Sequence, residues 1–525
     1  MPDPRIVAAM SDPGFYPHAP ESVEVVHTHA SVVFLAGPLV YKIKKPVDFG
    51  FMDFTSLEKR RENCLREVDL NRRLAPSVYL GVDKVFLDAD GEYSLSGPGE
   101  IAEYAVRMKR LDEGKMFASL LSQGLLNRDH VTRLARVLAD FHARAATGGE
   151  IDAAGRLECV GKNHEEDFAQ VEGYVGTILG RELFALLIAY ADWFMLRRRR
   201  LFDRRVTDGR IRDCHGDLHL AHVCEDRGGI VVFDCIEFNK RFRYSDVAAE
   251  VAFFAMDLEA NGAWDLSRAF TQAYQEASGD RRMGLLLDFY KCYRATVRGK
   301  VNAMAANEAD VPQAQREKAV ETASAYFDLA ARYASRPARP RLVILSGLSA
   351  TGKSTLARPL ARFLDAEVLR TDVIRKSLFN IPPEERVPEA LGSGIYSPEA
   401  TERTYREMRR QAKALLLQRK SVIMDASHQR RRHREQAAET ARQGRSAFFV
   451  VECTAPEAEV RRRLNRRLTD PAEVSDGRWE VFQAQKKDWE PLDEVPQESR
   501  IIVDTSIVPG AEAACRVIRK MLSSR

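Results

Sequence analysis

Short apolar runs alternate with helical patterns over the last third of the chain. The runs are rich in Val, Ile and Leu, as buried strands are, and between them apolar residues recur at helical spacing. We predict strands at 342–346, 368–371, 422–425, 448–453 and 501–504. We predict helices near 353–364, 373–379, 399–419, 429–443, 456–468 and 510–523. Strands that alternate with helices in this way indicate an α/β domain with a doubly wound parallel sheet.

The pattern before residue 333 is different and changes part-way. Up to about residue 110 it predicts strands, interrupted by one helix at about 57–74. The predicted strands lie at 23–27, 32–35, 39–43, 82–86 and 105–109. After Asp112 the pattern is mostly helical, apart from a short hairpin between about 211 and 234. A small sheet lobe followed by a helical lobe is the outline of a two-lobed, protein-kinase-like α+β fold.

A segment rich in proline and arginine separates the two patterns. Residues 334–341 hold two prolines and three arginines, which is typical of an exposed linker. We therefore predict a kinase-fold domain over 1–333, a linker over 334–341 and an α/β domain over 342–525. A chain of 525 residues is long enough for two or three such domains.

Composition narrows the class of protein. Hydrophobic residues make up 45% of the chain and charged residues 30%, and these are the proportions of a globular protein. The formal charge of +4 gives no argument for a nucleic-acid partner. The chain lacks a long uncharged apolar run and a basic-then-apolar N-terminus, so we expect neither a membrane span nor a secretory signal. The eight cysteines are scattered, without C-x-x-C, and read as reduced thiols of a cytoplasmic protein.

Residues 347–354 carry the strongest motif of the chain. They read Gly-Leu-Ser-Ala-Thr-Gly-Lys-Ser and fit G-x-x-x-x-G-K-[ST], the phosphate-binding P-loop, between a predicted strand and a predicted helix. Lys353 can reach the β- and γ-phosphates, and the Ser354 hydroxyl can hold Mg²⁺. The motif therefore predicts ATP and Mg²⁺ as cofactors. The predicted nucleotide-binding residues are Gly347, Leu348, Ser349, Ala350, Thr351, Gly352, Lys353, Ser354 and Thr355.

Polar residues beyond the loop favour a kinase over a motor or a switch. Asp372 follows the second predicted strand and could accept a proton from an acceptor hydroxyl, and Arg375, one turn on, could hold an anionic group. Asp425 ends a buried strand, as in a Walker B element, and could hold Mg²⁺. Arg463 and Arg467 share a helix face and could neutralise charge during transfer. Structural roles stay open for all five: helix caps for the carboxylates, a solvated or nucleic-acid-binding face for the arginines.

These residues resemble a known group of kinases. The D-x-x-R spacing of Asp372 and Arg375 is similar to that of the bacteriophage polynucleotide 5′-kinase and adenylylsulfate kinase, and the arginine-rich helix resembles their lid. Residues 341–525 resemble bacterial P-loop kinases of the AAA_33 type. This resemblance implies transfer of the γ-phosphoryl group of ATP to a hydroxyl.

A second motif lies upstream. Residues 214–222 read Cys-His-Gly-Asp-Leu-His-Leu-Ala-His and are followed by an apolar strand and Asp234. The motif resembles the aminoglycoside phosphotransferase family, whose loop reads H-G-D-x-H-x-x-N and precedes a metal-binding Asp. The resemblance implies that Asp217 is the catalytic base and that Asp234 binds the metal. His222 stands where the family has Asn, which makes it a further candidate metal ligand.

The same resemblance extends to the first predicted lobe. It implies that Lys42 is the phosphate-binding lysine and that Glu67 is its ion-pair partner, although Lys44 faces the same side of its strand. Residues 28–31 replace the glycine-rich loop of the family. This loop and His222 leave several alternatives for the N-terminal domain: an active kinase, a degenerate kinase fold, a domain that binds a ligand or nucleotide without turnover, or another structure. His215, His219 and His222 could instead form a zinc cluster or be satisfied core histidines.

We therefore expect an ATP-binding phosphotransferase. Its C-terminal domain acts on a hydroxyl of a small molecule or nucleotide, and its N-terminal domain is a second kinase, active or degenerate. Two alternatives remain at this point: an ATP-gated regulatory protein with slow ATPase activity, and a polynucleotide 5′-hydroxyl kinase, for which a nucleic-acid partner is not favoured. Neither the acceptor nor the oligomeric state follows from the residues.

Overall fold

The computed structural model describes residues 3–50, 52–227, 229–308, 311–336, 339–382, 385, 393–468, 478–508 and 510–523, with the backbone alone at 467 and 468. Contacts divide the chain into two compact units. The first comprises Met1–Asn163 and Arg198–Arg294, and the second His164–Arg197 and Ala295–Arg525. Each unit is described by itself below.

A six-stranded antiparallel sheet forms the N-terminal part of the first unit. Its order is β1-β2-β3-β6-β4-β5. The strands are β1 Val23–His27, β2 Ser31–Ala36, β3 Leu39–Lys44, β4 Tyr79–Leu87, β5 Tyr93–Ser94 and β6 Glu100–Lys109. Two helices accompany it, α1 Pro4–Ser11 and α2 Leu57–Asn71. On β3, Tyr41 and Ile43 enter the apolar core, so Lys42 and Lys44 share the opposite face because side chains alternate along a strand.

The following residues are mainly helical. The helices are α3 Phe117–Ser122, α4 Arg128–Arg144, α5 Gly149–Ala154, α6 Leu157–Val171, α7 Arg181–Thr207, α8 Lys240–Arg243, α9 Val247–Ala260, α10 Trp264–Ser278, α11 Leu287–Ala306 and α12 Gln313–Ser335. Four short strands lie among them: β7 Ile211–Asp213, β8 Val223–Asp226, β9 Gly229–Val232 and β10 Tyr244–Asp246. The antiparallel pair β8–β9 is the predicted hairpin, whereas β7 pairs with β10.

A five-stranded parallel sheet forms the centre of the second unit. Its order is β12-β13-β11-β14-β15. The strands are β11 Arg341–Ser346, β12 Ala366–Arg370, β13 Ser421–Asp425, β14 Ala447–Thr454 and β15 Arg500–Asp504. The helices are α13 Lys353–Leu364, α14 Thr371–Leu378, α15 Pro398–Leu417, α16 Arg431–Gln443, α17 Glu457–Leu468, α18 Trp479–Lys487 and α19 Gly510–Ser523. Every residue of the central strand β11 is buried, which explains its continuous apolar run.

The predicted fold class is confirmed in both regions: a kinase-like α+β arrangement first, and a parallel α/β sheet after it. Helices α1 and α18 and strand β5 were not predicted. The contacts group 164–197 and 295–333 with the C-terminal sequence, and the domain bounds predicted at 334–341 stay a prediction. Among the described helices, none combines the length and apolar character needed to cross a membrane.

Candidate phosphoryl-transfer sites

The loop between β11 and α13 has the backbone that the P-loop motif requires. Gly347 and Gly352 have φ angles of +149° and +87°, in a region that favours glycine. A Cβ atom at Gly347 would lie 2.5 Å from the carbonyl oxygen of Cys453, and one at Gly352 would lie 2.6 Å from Thr505 Oγ1. Both glycines are therefore required by conformation and by space.

Three predicted residues meet at this loop. Lys353 Nζ donates to the carbonyl oxygens of Gly347 and Leu348, at 3.0 and 2.7 Å. Ser354 Oγ donates to Asp425 Oδ2 at 2.7 Å. The contact forms because Asp425 ends β13, which pairs in parallel with β11. The lysine, the hydroxyl and the buried carboxylate thus belong to one site.

Arg463 of α17 lies against the same loop. Its guanidinium donates to Thr505 Oγ1 at 2.8 Å and to the carbonyl oxygen of Ala350 at 3.3 Å. Glu459, one turn earlier, accepts from its Nε at 2.7 Å. Arg463 is therefore oriented toward the loop by three partners. The side chain of Arg467 lies outside the described residues, so its predicted role stays a prediction.

A cavity of about 360 Å³ adjoins the loop. One side is basic, because α17 contributes three arginines, and the other is formed by the start of α13 and the segment after β15. The lining residues are Gly352, Thr355, Leu356, Glu459, Arg462, Arg463, Arg466, Thr505, Val508, Gly510 and Ala513. Its position next to Gly352 suits the part of a nucleotide that extends beyond the phosphates.

Asp372 and Arg375 both lie on α14, the first in its first turn. Arg375 is buried: Nη1 donates to the carbonyl oxygen of Ile395 at 2.8 Å and to Thr401 Oγ1 at 3.2 Å, and the guanidinium lies 5.0 Å from the ring centroid of Tyr396. These contacts connect α14 to the start of α15. The acceptor-binding role of Arg375 and the proton-accepting role of Asp372 stay predictions.

Two polar groups at the loop were missed by sequence reasoning. Gln485 of α18 accepts from the backbone N–H of Ser349 at 2.7 Å. Thr505, after β15, donates to the carbonyl oxygen of Thr351 at 2.8 Å. Neither lies in a motif, and only the position of Thr505 at the carboxyl end of a predicted parallel strand could have suggested it.

In the first unit, two lysines of β3 share one glutamate. Lys42 Nζ donates to Glu67 Oε1 at 2.9 Å and to Asp234 Oδ1 at 2.8 Å. Lys44, which is 1% exposed, pairs with Glu67 and Glu237. Only Lys42, of these two lysines, pairs with Asp234.

These ion pairs shift the pKa values of the carboxyl groups at the site. Burial opposes ionisation of Asp234, but the charge of Lys42 holds the pKa of Asp234 well below its usual range. Burial likewise disfavours the charged form of Glu67, and the two lysines nevertheless lower its pKa. At Glu237 burial prevails over Lys44 and raises the pKa. Asp234 and Glu67 are therefore carboxylates at neutral pH.

A buried glutamate holds the loop of Asp217. Glu250 Oε1 accepts from the backbone N–H groups of His215 and Gly216, both at 2.7 Å. Its Oε2 accepts from His142 Nε2 at 2.6 Å, and His142 Nδ1 accepts from the Tyr274 hydroxyl at 2.7 Å. Burial opposes the charge on Glu250, but the hydrogen bond from His142 and further partners lower its pKa to about 2. No sequence signal connected Glu250 to the motif.

Two histidines of the motif surround the predicted base. His222 Nδ1 donates to the carbonyl oxygen of Asp217 at 2.9 Å, and its Nε2 lies 3.5 Å from Asp234 Oδ2. His219 Nε2 lies 3.5 Å from Asp217 Oδ2, and its ring centroid is 3.8 Å from that of His222. Burial raises the pKa of the Asp217 carboxyl, but the hydrogen bond from His219 and the neighbouring histidines bring it well below the usual range. The structure thus brings together Lys42, Glu67, Asp217, His222 and Asp234.

The two sites differ in how well they suit Mg²⁺. Ser354 and Asp425 offer oxygen donors, which this hard cation prefers, so the P-loop site fits it. At the upstream site, Asp234 offers oxygen but His222 offers an imidazole nitrogen. Imidazole suits softer divalent ions, so this donor pair does not fit Mg²⁺.

Comparison with known proteins finds a matching family model for each of the two regions. Residues 39–286 match the model of the phosphotransferase enzyme family, APH, and residues 342–492 match that of an AAA domain family, AAA_33. The proteins Rv2004c of Mycobacterium tuberculosis and Mb2027c of Mycobacterium bovis are each 32% identical to the chain over 469 residues, 89% of this chain and 91% of each relative. The chain belongs to their family. The two-domain resemblance drawn from the motifs is thereby confirmed: this chain joins a phosphotransferase domain to a P-loop domain.

Solved structures also resemble part of the chain. Mycobacterium tuberculosis APS kinase CysC, in complex with AMPPNP and APS, is 22% identical with a TM-score of 0.27, covering 35% of this chain and 99% of its own. A gluconokinase from Sinorhizobium meliloti is 17% identical with a TM-score of 0.25, covering 35% of this chain and 94% of its own. Likenesses of this size carry no conclusion about the reaction of the two-domain family.

Proposed function

We propose that the chain is an ATP-dependent phosphotransferase whose C-terminal site transfers the γ-phosphoryl group to a hydroxyl of a small molecule or nucleotide. The observation that carries this proposal is the convergence of Lys353, Ser354 and Asp425 on one glycine loop. A lysine that lies over the loop and a hydroxyl paired with a strand-end carboxylate are the parts that hold a triphosphate with its metal ion.

Each of these residues has a distinct role in the proposal. The loop N–H groups and Lys353 bind the phosphate oxygens, and Ser354 and Asp425 hold Mg²⁺, which when bound neutralises phosphate charge. Arg463 stabilises charge that develops during transfer. The nucleoside portion of ATP occupies the adjoining cavity. Asp372 accepts the proton of the acceptor hydroxyl.

We propose the upstream site as a second phosphotransfer centre. Asp217 orients and deprotonates the acceptor hydroxyl, and Lys42 binds phosphate and is oriented by Glu67 at 2.9 Å. Lys44 is not the phosphate-binding lysine, since it is buried between Glu67 and Glu237.

We retain the cytoplasm as the proposed compartment.

The C-terminal proposal is tested by the rate of ADP formation with and without acceptor. A kinase forms ADP faster when fractions of a metabolite extract supply its acceptor, whereas an ATP-gated module hydrolyses ATP at a rate that no fraction changes. The comparison is made in the Asp217→Asn background, so that the upstream site contributes no ADP. There, Lys353→Ala should abolish the stimulated rate, because the loop loses its cation. Lys420→Ala is the matched control, since this half-exposed lysine of the same unit pairs with the half-exposed Glu367 at 3.2 Å. Stimulation that survives in Lys353→Ala on the Asp217→Asn background would reject the proposal.

A further inference from the structure

His222 presents one defined ring nitrogen to Asp234. Its Nδ1 lies 2.9 Å from the carbonyl oxygen of Asp217, which can only accept a hydrogen bond, so Nδ1 carries the proton. In the neutral ring, Nε2 therefore carries a lone pair. That lone pair lies 3.5 Å from Asp234 Oδ2, which is also an acceptor. Two acceptors that face each other at this distance are suited to share a cation.

The separation between the two donor atoms agrees with ligation of one ion. Two donors held about 2.1 Å from an ion lie about 3.4 Å apart at a tetrahedral angle and about 3.0 Å apart at the right angle of an octahedron. The observed 3.5 Å matches the tetrahedral value. Asp234 has an oxygen available, because Lys42 occupies Oδ1 and leaves Oδ2 toward the imidazole.

The neighbouring histidine has a different role. His219 Nδ1 accepts from the backbone N–H of Ala221 at 3.3 Å, so its proton lies on Nε2, which faces Asp217 Oδ2 at 3.5 Å. His219 thus orients Asp217 instead of offering a lone pair to an ion. Its ring also packs against His222, with the centroids 3.8 Å apart, and limits rotation of that imidazole.

We propose that His222 Nε2 and Asp234 Oδ2 bind a borderline divalent transition-metal ion of the Zn²⁺ class in preference to Mg²⁺. Imidazole nitrogen with carboxylate oxygen is a common donor set for such ions, whereas Mg²⁺ prefers oxygen and an octahedron. Asp217 lies on the other side of the ring, with its Oδ2 3.6 Å from the protonated His222 Nδ1, so it is not counted as a ligand. Binding of this ion does not require that either site transfer phosphate.

The test follows Co²⁺, a coloured substitute for Zn²⁺, in the metal-stripped, nucleotide-free full chain. One equivalent of Co²⁺ should give a visible absorption band typical of low coordination number. One equivalent of Zn²⁺ should abolish the band, and at least about 100-fold more Mg²⁺ should be needed to do so. Displacement of Co²⁺ by Mg²⁺ at comparable concentration would overturn the proposal.

Variants locate the ion. His222→Asn should lower Co²⁺ affinity by about tenfold or more, since a ligand is lost and an oxygen donor takes its place. His27→Asn, the same change at an exposed position of β1, and Asp425→Asn at the P-loop should leave the band unchanged. A band that persists in His222→Asn would overturn the proposal. So would a near-ultraviolet thiolate band, which would place the ion at Cys214, beside His142 and Glu250. The Zn²⁺ and Mg²⁺ competition uses the native chain and remains decisive if a variant fails to fold.

Discussion

Glu250 should determine how firmly the loop of Asp217 is held. The carboxylate is 1% exposed and accepts from the N–H groups of His215 and Gly216 and from His142. In Glu250→Gln one oxygen can still accept, but the side chain loses its charge and the acceptor capacity of its second oxygen. We therefore expect this loop to open far more often in the variant.

The pKa of Glu250 gives the size of the effect. Burial disfavours the charged carboxylate, yet its hydrogen bonds lower the pKa from 4.5 to about 2. A shift of this size corresponds to about 3 kcal/mol in favour of the charged form, or roughly 100-fold in an equilibrium constant. Because the pKa is depressed, this stabilisation is complete above pH 4.5 and is lost as the pH falls toward 2. Glutamine carries no charge, so this stabilisation is absent from Glu250→Gln at pH 7.

Hydrogen exchange followed by mass spectrometry measures this opening. At pH 7, a peptide covering 211–222 should lose roughly 100-fold in protection in Glu250→Gln. Peptides from α13 in the second unit should exchange as before and serve as an internal reference. Glu276→Gln, the same change on the exposed side of α10, is the matched control. Unchanged protection at 211–222, or an equal loss in the control, would show that the Glu250 carboxylate does not hold this loop.

Two further variants, one in each unit, test a glycine of the P-loop and a buried ion pair. Gly352→Ala should weaken binding of an ATP analogue by about tenfold or more, because φ is +87° and the new Cβ would lie 2.6 Å from Thr505 Oγ1. Calorimetry measures the dissociation constant, and an unchanged value would contradict this prediction. Arg205→Ala should destabilise the first unit by about 3–5 kcal/mol, since buried Asp246 and Asp280 would lose the guanidinium that now pairs with both. A thermal unfolding scan should show a lower midpoint, and an unshifted midpoint would exclude this role.

The sequence predicted those parts of the fold and sites that depend on local spacing. The P-loop is a contiguous motif, and Asp425 was predicted because it ends a buried apolar strand, as in a Walker B element. The alternation of side chains along β3 placed Lys42 and Lys44 on one face. The alternation could not show which of the two lysines faces Asp234, because that depends on Glu237 and Asp234, which lie far along the chain.

The contacts that sequence reasoning missed join residues far apart in the chain. Glu250 follows Gly216 by 34 positions, and His142 precedes Glu250 by 108. A helical residue such as Glu250 carries no local mark of the loop that it will hold. The grouping of 164–197 with the second unit has the same origin, since an amphipathic helix does not specify in its own sequence which core it will cover.

The two separate phosphotransfer sites that we propose are distinguished by the labelled products that each of them forms. The full chain, Lys353→Ala, Asp217→Asn and the double variant are each incubated with a metabolite extract and ATP labelled at the γ-phosphate. We predict that each single variant loses a different labelled product and that the double variant forms none. A double variant that still forms every product of the native chain would show that neither site transfers phosphate.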